Sequence, residues 1–155
     1  MRQGRIAQVG IILSAFSVIA AFLWWYSMGY LFLMLYWSYQ ISTLTFAILM
    51  VSPSTALTIA GLTLYIRDRK TFWKLEKKPR ALLPVLGSIL ILSGSVLSWF
   101  YYSMSVYQST KHGPQWNEPL GHILIDYSPY FVLFALWFIS GAILLADTMF
   151  GKTQT

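Results

Sequence analysis

The chain has 155 residues, of which 57% are hydrophobic, 17% aromatic and only 10% charged, and its net charge is +6. A soluble domain is about a quarter charged, so 11 basic and 5 acidic side chains are too few to coat a soluble fold of this size. This excludes the soluble globular, disordered and collagen-like classes, and the absence of cysteine excludes disulfides, thiolate metal sites and Cys nucleophiles.

Three stretches lack Asp, Glu, Lys and Arg: 61 residues between Arg5 and Arg67, 30 from Ala81 to Thr110, and 20 from Tyr127 to Ala146. A helix needs about 20 apolar residues to cross the hydrocarbon. The second and third stretches therefore hold one span each, and the first holds two or three. Lys and Arg concentrate in cytoplasmic loops. Arg2 and Arg5 precede the first stretch and seven basic residues follow it, so an even number of spans keeps both flanks on one side. The expected fold is all-α: a polytopic bundle of four transmembrane helices forming one domain, N-in/C-in.

The first span is expected over 6–28. Arg2, Arg5 and the apolar run after them share the pattern of a signal peptide, but the run is read as a retained span. Gly10, Ser14, Ser17 and Ala21 lie at spacings of 4, 3 and 4, a small-residue stripe that lets a neighbouring backbone approach. Gly29 to Gln40 is too apolar for an ordinary loop and is read as helix extension or interfacial segment. The second span, 40–66, carries a matching stripe of Ser52, Ala56, Ala60 and Thr63. Its Pro53 removes the backbone bond to the Leu49 carbonyl, and Ser52, Ser54 and Thr55 are the expected replacement donors.

The cytoplasmic loop 67–80 holds Arg67, Arg69, Lys70, Trp73, Lys74, Lys77, Lys78 and Arg80. It is expected to anchor on anionic lipid, with Phe72 and Trp73 dipping into the interface. Nucleic acid is not an expected partner of 14 residues tied at both ends to a membrane. The third span, 81–107, offers Gly87, Gly94 and Ser98 for packing.

The outer loop 108–127 carries Lys111, His112, Glu118, His122 and Asp126. His122 and Asp126 are four apart and share a face if helical. With His112 and Glu118 they offer two imidazoles and two carboxylates, donors suited to Zn or Cu and to acid–base work. His112 and His122 stand ten residues apart with Pro114 and Pro119 between them, so a solvated loop is the plainer reading and no cofactor is otherwise expected. The last span is expected over 128–148, with Ser128 as N-cap, Pro129 at the first helical position, and Ala142 and Ala146 for packing.

This topology puts 10 of the 11 basic residues inside and 14 of the 17 Trp and Tyr on the outer half, where they form a girdle. The spans carry no ionisable residue away from their ends, no His to hold haem, and no nucleotide-binding or hydrolase motif. The expected function is a non-catalytic accessory or structural subunit of a larger integral membrane complex of the plasma membrane, respiratory or oxidative assemblies being the candidates. Other integral membrane subunits and anionic lipids are its expected partners. The alternatives are a metal-binding subunit of a membrane oxidoreductase, through His112, His122, Asp126 and Glu118, and a small transporter or channel using the Pro53 break.

Overall fold

The computed structural model describes residues 5–73, 82–111 and 119–150. Every element among them is helical: α1 (Arg5–Trp37), α2 (Thr43–Phe72), α3 (Leu82–Lys111), α4 (Leu120–Asp126) and α5 (Ser128–Phe150). All but the seven-residue α4 are long and apolar enough to cross a membrane.

The expected limits shift at several ends. Helix α1 continues through the apolar stretch after residue 28 and stops at Trp37. Its end is a left-handed cap: the Gln40 N–H donates to the Leu35 carbonyl and the Tyr39 N–H to the Tyr36 carbonyl, each at 3.0 Å, with Tyr39 at φ +57°. Ser42 then caps α2 by accepting from the Thr45 N–H at 3.2 Å, so this helix begins at Thr43 rather than at 40. Helix α2 also runs past 66 to Phe72, taking Arg67, Arg69 and Lys70 out of the expected loop. Basic residues in a last turn suit the negative end of the helix dipole. Pro84 sits in the first turn of α3, where its missing N–H leaves no bond unmade. Ser128 does not cap α5. The short α4 leads straight in, and the Tyr127 carbonyl receives the first N–H groups, from Tyr130 at 3.0 Å and Phe131 at 3.5 Å.

Two antiparallel hairpins make the bundle. In the first, Gly10 of α1 meets Gly61 of α2 so closely that a Cβ on Gly10 would lie 2.5 Å from the Gly61 carbonyl oxygen and 2.6 Å from the Tyr65 nitrogen. At the end of this hairpin, the Ala7 N–H, unsatisfied within α1, donates to Asp68 of α2 at 3.4 Å. In the second hairpin, a Cβ on Gly141 of α5 would lie 2.5 Å from the Gly87 carbonyl of α3, and one on Gly94 would lie 2.5 Å from the Phe134 carbonyl. Only glycine fits at such crossings, and the backbone contact it permits is what holds helices together where lipid supplies no hydrophobic drive. The hairpins join along α2 and α5, which run parallel. The start of α1 and the ends of α2 and α5 thus share one end of the molecule, with Arg5, Arg67, Arg69 and Lys70 around it.

The expected stripes divide unequally. Gly10, Ser14, Ser17 and Ala21 all turn into the core. Gly94 is a crossing point and Ser98 is half-buried. Ala56 and Ala60, with Ser52 and Thr63, are exposed. The buried face of α2 is instead Ala47, Met50, Val51, Ser54, Thr58, Gly61, Tyr65 and Phe72. Both faces carry small residues at helical spacing. The one holding Gly61 wins because it admits the closest backbone approach.

Candidate functional site

Polar side chains join the hairpins at two heights. At the basic end, Tyr65 and Arg69 stand one turn apart on the face of α2 that meets α5. Between them lies Asp147 of α5. The Tyr65 hydroxyl donates to its Oδ2 at 2.5 Å and an Arg69 Nη2–H donates to its Oδ1. Asp147 is 3% exposed and Arg69 48%. Phe72 closes the site against Tyr65, edge to face at 6.2 Å. Near the C-terminus of α5 the helix dipole opposes a negative charge, so the carboxylate depends on the guanidinium and the phenol for compensation. Both its oxygens are engaged, as a buried carboxylate requires.

The second height is the middle of the bundle. Trp137 is fully buried, and its indole N–H reaches Ser17 of α1 at 2.8 Å and Thr58 of α2 at 3.1 Å. The Thr58 hydroxyl, 2.9 Å from the Ser17 oxygen, also reaches the Ser54 carbonyl at 2.8 Å. Ser17 donates to the Ser14 carbonyl at 2.6 Å. One indole thus ties three helices, and the two hydroxyls that receive it each keep a backbone acceptor. Beside this node the Ser54 and Ser140 hydroxyls are buried without a hydrogen-bond partner.

Towards the opposite end the contacts become aromatic. Tyr101 of α3 stacks on Tyr130 of α5 at 4.6 Å, and Trp25 of α1 meets Tyr130 edge-on at 5.9 Å. Tyr127 and Phe134 complete the cluster around Tyr101 at 6.1 and 5.3 Å. The two tryptophans before this cluster do more than line a girdle. The Trp24 indole N–H donates to the Leu49 carbonyl at 3.0 Å, and the Trp25 indole N–H to the Met50 carbonyl at 2.9 Å. The Leu49 carbonyl is the one Pro53 leaves without a backbone donor. Of the expected hydroxyl donors, Ser52 reaches it only at 3.4 Å, Thr55 turns to the Val51 carbonyl at 3.0 Å, and Ser54 is unpartnered.

The expected metal residues are not assembled among the described residues. His122 is exposed and Asp126 half-buried on α4, while His112 and Glu118 lie outside the described residues. No group of three or more His, Cys, Asp or Glu gathers there among the described residues. Of the expected anchoring residues, Arg67, Arg69 and Lys70 are exposed at the basic end and Trp73 is half-buried at the C-cap of α2. Lys74, Lys77, Lys78 and Arg80 lie outside the described residues.

Asp147 escaped the sequence reading because it follows a 20-residue uncharged run and reads there as a flank of the span. Its signal was positional. It lies seven residues after Ser140 and ten after Trp137, on the face that carries both inward. No protein-family model, no curated protein and no solved structure matches this chain.

Proposed function

We propose that the protein is an integral membrane protein with both chain ends on the cytoplasmic side, and that it is a non-catalytic structural subunit of a larger membrane complex. The orientation rests on charge: Arg5, Arg67, Arg69 and Lys70 gather at one end, and six of the other seven basic residues flank, in the sequence, the helix ends that meet there.

The role rests on the exposed stripe of α2. Ser52, Ala56, Ala60 and Thr63 face away from the bundle, although the packing seam of this helix is already used on the other side. Against lipid alone such a stripe gains nothing over leucine. Against another helix it permits close backbone contact. The interior supports the same role. Trp137, Ser17 and Thr58 fill its middle and satisfy one another, an arrangement that fixes helices in place.

The chain has no cysteine, so single cysteines can be introduced without competition. Ala56→Cys and Ala60→Cys should cross-link to a partner protein in native membranes, whereas Leu92→Cys, on the exposed face of α3, should not. No adduct at either α2 position, with the tagged chain purifying alone at 17.7 kDa, would overturn the proposal.

A further inference from the structure

We infer that the Arg69 guanidinium, oriented by Asp147, is a binding site for the phosphodiester of an anionic phospholipid. The inference rests on the membrane reading above and sharpens a diffuse attraction into one site. Both described acids at the basic end are turned inward. Asp68 accepts the Ala7 N–H, and Asp147 accepts from Tyr65 and Arg69. The cations there are turned outward: Arg5, Arg67 and Lys70 are exposed, and among the described residues the one ion pair is that of Arg69 with Asp147.

Arg69 differs from its neighbours. It gives one Nη2–H to the buried carboxylate while nearly half of its side chain is exposed, so the remaining N–H groups of the planar fork stay available. A guanidinium held in place loses little further entropy on binding, and its fork matches a phosphate oxygen pair. The neighbouring Arg5, Arg67 and Lys70 are exposed and have no ion-pair partner among the described residues to orient them.

The test is native mass spectrometry of the full chain in mild detergent with equal amounts of phosphatidylglycerol and phosphatidylcholine. A diffuse contribution is about fivefold per cation and similar for each. It fades at about 0.5 M salt, where the Debye length is roughly 4 Å. At that salt the wild type should still retain phosphatidylglycerol, and Arg67→Gln and Lys70→Gln should stay within about twofold of it. Arg69→Gln should lose about tenfold or more, the scale of a hydrogen bond to a charged group. Because Arg69→Gln leaves Asp147 buried and unpaired, the neutral pair Arg69→Gln with Asp147→Asn serves as the folded control and should lose the lipid equally. Arg69→Lys, which keeps the charge without the fork, should fall between. Equal losses for all three cations, or displacement of the lipid by millimolar inorganic phosphate, would overturn the site. Detergent has no sides, so this outcome is independent of orientation. Labelling of Lys74→Cys from one face of sealed membranes tests orientation separately.

Discussion

The tandem Trp24 and Trp25 make a prediction that separates a proline-specific role from ordinary packing. Pro53 removes the donor to the Leu49 carbonyl, and the Trp24 indole replaces it at 3.0 Å from the neighbouring helix. The next carbonyl, Met50, receives the Trp25 indole at 2.9 Å. Residue 54 is serine and still has its own N–H to offer Met50. Trp24→Phe should therefore orphan an acceptor, and Trp25→Phe should only remove a second donor from one.

Leaving a buried acceptor unpaired costs about 1–3 kcal/mol, and interhelical hydrogen bonds measured in membranes fall at or below the lower part of that range. Ser52 at 3.4 Å can take up some of the loss. Trp24→Phe should thus cost about 1 kcal/mol beyond its lost ring contacts. In a Pro53→Ala background residue 53 regains its N–H and the Leu49 carbonyl its donor. The cost of Trp24→Phe should shrink there by about 1 kcal/mol, while that of Trp25→Phe stays the same within a few tenths. Reversible unfolding of the four proteins of each cycle, in mixed micelles with increasing denaturing detergent, reads both couplings. Equal costs of Trp24→Phe in the two backgrounds would refute the assignment of the indole as a proline substitute.

Removing Arg69 as alanine leaves a carboxylate that is 3% exposed with only Tyr65 beside it, and should cost about 3 kcal/mol in the same unfolding assay. Replacing the pair together, Arg69→Met with Asp147→Leu, should cost much less than that single change. Gly61→Ala places a methyl 2.6 Å from the Gly10 carbonyl and 2.7 Å from the Ser14 nitrogen, so it should destabilise the protein by about 1–3 kcal/mol, whereas Gly121→Ala, with nothing within 4 Å, should not. Tyr39→Gly relieves a left-handed residue of about 1–2 kcal/mol of steric cost, partly offset by the unfolded-chain freedom of glycine, and should raise the melting temperature by a few degrees.

The four helices long and apolar enough to cross a membrane were legible because a bilayer would impose a length and forbid charge, and both constraints are written in composition. The stripe of α1 was legible from its spacing: Gly10, Ser14, Ser17 and Ala21 recur at intervals of 4, 3 and 4 and so share one face of the helix. The face of α2 was not. Two small-residue faces coexist there, and the choice between them depends on Gly61 meeting Gly10, a relation between two helices that neither records alone. The same holds for Trp24 and Trp25. Aromatic residues near a helix end satisfy the rule for interfacial belts, and that rule hides two donors to α2, one of which, Trp24, meets an acceptor freed by a proline 29 residues later. Asp147 was hidden in the same way, since an acid just past an uncharged run looks like a boundary until its partner on another helix is known.

The placement of polar groups follows from what each interface lacks. Within each hairpin, glycine crossings already set the two helices against each other. Between α2 and α5 no glycine crossing sets the register among the described residues, and apolar surfaces alone give it no preferred value. Directional contacts supply it. Trp137 with Thr58, and Asp147 with Tyr65 and Arg69, fix the two parallel helices at two heights. A slip of one turn moves a side chain by about 5.4 Å, far beyond the half ångström or so that a hydrogen bond tolerates. It would break both heights at once and leave a carboxylate, a guanidinium and an indole to seek new partners where water is scarce. Contacts that add little to net stability can in this way decide which of several similar packings the bundle adopts. On this argument the charged contact sits at the basic end because there Arg69 can keep nearly half of its side chain exposed while the rest holds Asp147.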